Sequence, residues 1–233
     1  MNGIKWIEAE GFLVVILPKK APKTIKVSSP IYGDVKKAIK ADDLESLNKA
    51  LFPEEAVEKK SQGAIKMNAK GSITFEGKQV DPALARMVKN FTEEDLPTLP
   101  LLNLQKNIEQ NENEWIRQQL FRFLERNKVP LTDDGCFVCY KGVKRNDDGD
   151  LVDCHTNRIL NNVGCCPEMP RSDVDSNPHN TCSTGLHVAA HDYVRGVYGD
   201  KVFIVAKIHP KDVCSVPYDY NDQKMRVCSY QVI

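Results

Sequence analysis

An apolar run followed by a mixed apolar and polar one opens the chain. The run "GFLVVIL" followed by "KTIKVS", with Ile25 and Val27 on one face, predicts two strands. In "SSPIYGDVKKAIK" the period lengthens to that of a helix, with Ser29 as the expected cap and Pro30 at the first helical position, where a missing N–H costs nothing. Asp42 or Asp43 can cap a second short helix whose Leu44, Leu47 and Leu51 share a side before Pro53 stops it. The stretch "GAIKMNAKGSITFEGKQV" places Ile65 and Met67 opposite Ile73 and Phe75 across a turn containing Gly71, a hairpin pattern. Asp81 and Pro82 open a further helix with Leu84, Val88 and Phe91 inward, and "TEEDLPTLPLLNLQKN", with its two prolines, reads as an ordered connector near a soft boundary.

The strongest helical signal is "NENEWIRQQLFRFLERNKVP". Asn111 with Glu114 resembles a capping box, Ile116, Leu120, Phe123 and Leu124 form one stripe, and Pro130 ends the segment. That stripe reads as the buried face of a helix packed on its own domain. Strands dominate beyond it: "CFVCYKGV", "LVDCH", a loop rich in Asp, Asn and Pro, "GLHV", a short helix "AHDYVRGVY", then "KVFIVAKI", "VCSVP" and "MRVCSYQV". Val202 to Ile208 is apolar on both faces, which predicts a central strand covered on both sides. The expected fold class is therefore α+β. A small strand and helix region with a hairpin spans 1–105, a connecting amphipathic helix 106–130, and a mixed or antiparallel sheet domain 131–233.

Charge removes one function class. The 233 residues carry 32 Lys plus Arg against 32 Asp plus Glu, so no global field draws the chain to nucleic acid or anionic lipid. The apolar run Phe12 to Leu17 is far shorter than the roughly 20 residues of a membrane span, and no basic region with a cleavable apolar stretch precedes it, so no membrane span is expected. The N-terminus reads as a cytosolic strand, which puts the eight Cys in a reducing compartment.

Candidate chemistry centres on "CSTGLHVAAHDY". Cys182 or Ser183 with His187 or His191, oriented by Asp173, Asp175 or Asp192, has the residue types of nucleophilic catalysis but no nucleophile elbow. Cys136 and Cys139 have C-x2-C spacing, and Cys154, His155, His179 and Cys182 could complete a zinc site; yet Phe137 and Val138 are strand formers, and Cys165 and Cys166 are adjacent. Buried apolar thiols are the favoured reading, with no metal. Phosphate-binding glycine loops are absent. The segment "RSDVDSNPHN" reads as a loop whose Asp and Asn satisfy their own backbone, in preference to a cation site.

The ordered set "PLTDDGCFVCYKGV", "NNVGCCPEMPRSDVD" and "CSTGLHVAAHDYVRGVYGDKVFIVAKIHPKDVCSVPYDYNDQKMRVCSYQVI" resembles the rIIB-like lysis-inhibition proteins of tailed bacteriophages, most strongly from Asn107 onward. That resemblance implies an early viral protein of the infected bacterial cytoplasm, acting beside a larger rIIA-like partner or on a host defence protein against exclusion and premature lysis. Some members carry a long N-terminal extension that this sequence lacks, and no nucleic-acid role is expected. A second resemblance concerns fold. The strand ending in "YKG", the "GLHVA" strand leading into a helix and "VFIVAKI" look like the core of ADP-ribosyltransferases, whose likeness would place Tyr140, Lys141, Ser183 and His187 around a nucleotide. Those enzymes use a late glutamate, and "YDYNDQKMRVCSYQVI" contains none, so a degenerate ligand-holding version is the form implied.

Together these readings predict that Cys182 and Leu186 pack inward. Ser183, Gly185 and His187 are expected to face a pocket beside Tyr140, Lys141 and Arg171, without a carboxylate. The expected protein is a non-enzymatic regulator with no cofactor. It binds an rIIA-like or host protein, with room for a small anionic or nucleotide-like ligand and with self-association left open.

Overall fold

The computed structural model describes residues 3–9, 11–61, 63–68, 71–94, 96–198 and 202–233. The turn residues 69 and 70 of the predicted hairpin and the first residue of "KVFIVAKI" lie outside them. Two compact units account for the chain, one of residues 1–80 and 88–97, the other of 81–87 and 98–233. The class is α+β, as expected.

In the first unit, strands β1 (Lys5–Ala9), β2 (Phe12–Ile16) and β3 (Lys23–Lys26) form an antiparallel sheet in that order. Alternation buries Leu13 and Val15 of β2 and Ile25 of β3. Helices α1 (Tyr32–Lys40) and α2 (Leu44–Leu51) complete this core with Val35, Ile39, Leu47 and Leu51. Val27 lies beyond β3 and is exposed, so it does not share the face of Ile25. Asp43 caps α2, accepting from Ser46 N at 3.0 Å, whereas α1 starts two residues later than expected, with Ile31 at its N-cap and no side-chain cap. Pro53 ends α2 by opening α3 (Pro53–Lys60). The hairpin is present as β4 (Ile65–Met67) and β5 (Ile73–Phe75), with β6 (Lys78–Gln79) added after a second turn.

Helix α4 (Pro82–Glu93) is opened by Asp81, which accepts from Ala83 N at 2.7 Å; Leu84 and Val88 are buried and Phe91 half-buried. The proline-bearing connector is largely helix α5 (Leu99–Glu109), because Pro100 sits in the first turn, where proline is tolerated. Helix α6 (Glu114–Arg126) buries Ile116, Leu120, Phe123 and Leu124 on one stripe. Its cap is Asn113, not Asn111. Asn111 is buried and does other work: its Nδ2 donates to Pro210 O (2.9 Å) and Val213 O (2.8 Å), while its Oδ1 accepts from Asn113 N (3.1 Å).

The second unit is built on a seven-stranded antiparallel sheet. Its order is β11 (Val213–Ser215), β12 (Lys224–Val227), β9 (Leu186–Ala189), β7 (Phe137–Arg145), β10 (Phe203–Ile208) and β13 (Gln231–Val232), with β8 (Leu151–Asp153) paired to the far end of β7. Helix α7 (His191–Tyr198) follows β9 directly. β10 is paired on both sides, but only Ile204, Ala206 and Ile208 are buried and Phe203 is exposed; the strand is covered on one face, contrary to the prediction from its apolar run. Gly135 precedes β7 at φ +76°, in a turn pressed onto α5 so closely that a Cβ would meet the backbone of Asn103 and Leu104. Asn103 and Asn107 of α5 donate to the carbonyls of Asp133 and Asp134 in the same turn.

Removing the Asn111 carboxamide takes one donor from each of the Pro210 and Val213 carbonyls, which keep Val213 N and Arg171 Nη2, and the acceptor from Asn113 N. Asn111→Ala is expected to lower unfolding free energy by about 2 kcal/mol, with an unchanged denaturant slope. Urea titration followed by circular dichroism measures this.

Candidate functional site

The pairing of β7 with β9 is one residue pair long, Tyr140 with Ala189. Where the two strands diverge, a cavity of about 360 Å³ opens between Tyr140 and Lys141 on one side and His187 and Ala189 on the other. Thr181, Cys182, Asp219 and Lys224 close it from the loop side, and Tyr193, Val194 and Val197 of α7 from above. Lys141 bridges the gap, its Nζ donating to His187 O at 3.0 Å in place of a ladder partner. Burial pulls the Lys141 ammonium below its ordinary range, against the pull of Asp153 and the Cys154 thiol.

The floor is set by strand β12. Cross-strand pairing places Arg226 beside His187 and Lys224 beside Ala189, so both cations point to one face. Arg226 is fully buried. Its Nε donates to Asp175 O (2.7 Å), Nη1 to Asn180 O (2.5 Å), and Nη2 to Asn177 O (2.7 Å) and Ser215 Oγ (3.0 Å). The loop 175–180 is thereby wound around a guanidinium through its carbonyls. Its side chains turn back on their own backbone, as expected, with Asp175 Oδ1 accepting from Asn177 N at 2.8 Å and Asn177 Oδ1 from His179 N at 3.0 Å. Lys224 acts in parallel, donating to Thr181 O and pairing with Asp219 Oδ2, both at 2.6 Å.

These charges determine the state of His187. Burial, and then the positive fields of Lys141 and Arg226, hold its pKa down at about 4, so the imidazole is neutral at physiological pH. Asp153, near Lys141, is a contrasting case. Burial alone would raise its pKa, but the N–H groups of Thr156 (2.6 Å), Ile159 (3.0 Å) and Arg158 (3.1 Å) and the Thr156 hydroxyl (2.8 Å) hold it below the usual carboxylate range.

Of the six residues predicted to share a pocket, Tyr140, Lys141 and His187 do so. Ser183 is half-buried and hydrogen-bonds the Asp175 carboxylate, which holds that acid at about 2. Gly185 packs instead of lining the cavity. At φ +148° a Cβ there would lie 2.9 Å from Val174 Cγ1 and 3.1 Å from Arg226 Cβ, so the glycine makes room for the buried arginine. Arg171 lies elsewhere. Its guanidinium reaches Lys211 O (2.7 Å), Val213 O (3.0 Å) and Asn111 Oδ1 (3.1 Å), bracing the segment before β11. Cys182 is exposed and lines the cavity, against the inward packing expected of it, while Leu186 is buried. The expectation of a pocket without an acid also fails, because Asp219 lines it with Oδ1 buried and lacking a hydrogen-bond partner among the described residues. Sequence reading passed over Asp219, Lys224 and Arg226. The available signal was the pair of cations at i and i+2 in the otherwise apolar strand "KMRV", since charges on a buried strand face require partners.

Four thiols, Cys136, Cys139, Cys214 and Cys228, are buried. Among the described residues no group of three His, Cys, Asp or Glu is placed to hold a metal. No helix of the described residues is long and apolar enough to cross a membrane.

The model of the family described as bacteriophage T4 protein rIIB matches residues 6–233. Over 233 residues the chain is 32% identical to Protein rIIB of Enterobacteria phage T4, covering 100% of this chain and 73% of that protein. This chain belongs to the bacteriophage T4 rIIB family. No solved structure matches it. In this rIIB-family chain the motifs divide by role. "DGCFVCYK" supplies the α5-facing turn and, through Tyr140 and Lys141, one wall of the cavity; "MPRSDVD" supplies Arg171 and the start of the loop around Arg226; "SVPYD" supplies Ser215 under that guanidinium and Asp219 opposite Lys224.

Two measurements test this geometry. Arg226→Met leaves the Asp175 and Asn180 carbonyls without donors among the described residues and Asn177 O with Asn180 N alone, and Arg226→Lys cannot reach all three, so each is expected to cost about 3 kcal/mol, with faster amide exchange in 175–180. Because His187 binds its proton less readily folded than unfolded, stability is retained above about pH 6.5 and lost as pH falls towards 4. His209, also lowered by burial, contributes in the same direction. The His187 share is the difference between parent and His187→Gln melting curves across that window, and that variant should flatten the slope.

Proposed function

We propose that this chain is a non-enzymatic early regulatory protein acting in the cytoplasm of the infected bacterium. In this reading it counters host or prophage-encoded exclusion and premature lysis by binding an rIIA-like viral protein or a host defence component, and it holds a small anionic ligand in the β7–β9 cavity. The observation that carries this reading is the match to the rIIB family over residues 6–233, from which the lysis-inhibition role is carried. The chemistry of the cavity supports binding. His187 is neutral and so offers a hydrogen bond in place of charge, Asp219 is countered by Lys224, and Lys141 Nζ, which spends one donor on His187 O, is left as the donor facing an incoming anion.

A second reading is favoured by one observation. Asp219 lines the cavity with Tyr140, Lys141 and His187, and its buried Oδ1 has no hydrogen-bond donor among the described residues, which sets a carboxylate beside the space for an NAD-type ligand. A carboxylate is the group the ADP-ribosyltransferase-like reading otherwise lacks.

The test is complementation of a phage lacking its rIIB protein, plated on a prophage-bearing host, with pull-down of its rIIA-like protein. Lys141→Met and His187→Gln should each cut partner or ligand binding by about tenfold, worth about 1.4 kcal/mol, and lower plating accordingly while the fold is kept. Undiminished binding and plating in both variants would overturn the proposal. Titration with NAD, with nicotinamide release followed, separates the two readings: turnover abolished by Asp219→Asn replaces the first with the second, and no turnover removes the second.

A further inference from the structure

A second concavity of the C-terminal unit, about 330 Å³, runs between α6 and the segment that follows β11. Phe123, Val216 and Tyr218 form its apolar part, and Gln119, Arg122 and Arg126 its polar rim. Tyr218, 43% exposed, stands in it, and Trp115, 49% exposed, lies next to its rim residue Gln119. Both are held in place. The Gln119 carboxamide, oriented to satisfy both neighbours, accepts from Trp115 Nε1 at 3.2 Å and donates to Val216 O at 3.3 Å. The Tyr218 ring meets His179 edge to face at 4.9 Å, and its backbone N donates to Pro178 O at 3.2 Å, so the loop wound around Arg226 also fixes Tyr218. Exposed aromatics that are already immobilised lose little entropy on binding, which is the property of anchor residues at protein interfaces.

Charge selects the occupant. The Glu125 carboxylate is taken by Arg86, with Nη2 to Oε2 at 2.7 Å, and Asp222 pairs with Arg126 at 3.3 Å. Arg122 is exposed, lines the groove and makes no ion pair or hydrogen bond among the described residues, so the charge presented outward is a guanidinium. A guanidinium sharing a groove with a fixed aromatic ring is complementary to a carboxylate flanked by an apolar side chain. We propose that this groove docks an acidic segment of a partner protein, with an Asp or Glu carboxylate on Arg122 and a neighbouring aromatic or aliphatic side chain against Tyr218, over the buried floor of Phe123 and Val216. The surface is separate in its residues from the β7–β9 cavity, although one turn serves both, contributing Tyr218 here and Asp219 there.

The probe is a displayed library of random seven-residue peptides selected on the full chain. Retained sequences are expected to be enriched in Asp or Glu next to an aromatic or aliphatic residue. A selected peptide should bind Arg122→Glu and Trp115→Ala at least about tenfold more weakly than the parent and Lys141→Met unchanged. Replacing its acidic residue by Lys should restore affinity for Arg122→Glu alone, a rescue that a merely misfolded variant cannot give. Selection with no preference for acidic over basic residues overturns the proposal. Binding indifferent to Arg122→Glu, or lost equally in Lys141→Met, does the same.

Discussion

A buried guanidinium organises the C-terminal unit. Taking an arginine wholly out of water is costly unless its donors are met, and Arg226 meets four N–H···O contacts, three of them to carbonyls of one short loop. A loop of Asp, Asn, Pro and His has no apolar side chain with which to anchor itself, so its path is fixed from beneath by its backbone. The acids Asp175 and Asp219 supply the compensating field, opposing the fall in the arginine's proton affinity that burial causes. Gly185 belongs to the same arrangement, since any larger residue would occupy the space of the Arg226 side chain.

The two candidate surfaces both derive from that anchor. On one side, the loop presents Thr181 to Lys224 and closes the cavity in which β7 and β9 part; on the other, it sets His179 against Tyr218. The electrostatics of the cavity follow from which charges are already spent. Arg226 is consumed by carbonyls and Lys224 by Asp219 and Thr181, while burial, with the fields of Lys141, Arg226 and Lys224, suppresses protonation of His187. Lys141 spends one contact on the His187 carbonyl. A binding surface of the rIIB family member is thus assembled largely from groups that first satisfy structural needs.

This double use explains why the family motifs do not read directly as a site. Asp134 of the "DG" turn accepts from Thr132 Oγ1 at 2.5 Å and pairs with Lys207 at 2.6 Å, and its carboxyl is held low chiefly by that lysine. Arg171, with Asn111, braces the residues before β11. Both are polar side chains in distinctive motifs, and both bind this protein's own backbone or side chains. Tyr140, Lys141 and His187 come from equally distinctive motifs and reach the cavity only because their strands diverge after a single pair.

Local pattern alone determined the elements. Apolar runs located β2 and β10, period-2 alternation located β4 and β5, and the stripe Ile116, Leu120, Phe123, Leu124 located α6, because solvent sorts side chains by face within one segment, whereas "MRVCSYQV", read as one strand, divides into β12 and β13 at separate places in the sheet. It failed where a residue's partner is distant. Asn111 resembled a cap but is held by carbonyls about a hundred positions away, Pro100 resembled a connector residue but opens α5, and Arg171 resembled a ligand group but is a brace. Arg226, Lys224 and Asp219 were passed over, since the two cations of "KMRV" hint at a need for partners but nothing in "DYNDQKMRV" says that carbonyls from residues 175–181 supply them. Sequence sets which face of an element avoids water; only the tertiary structure decides which donors and acceptors from remote segments meet there, because that meeting is fixed by strand order and register rather than by neighbours along the chain.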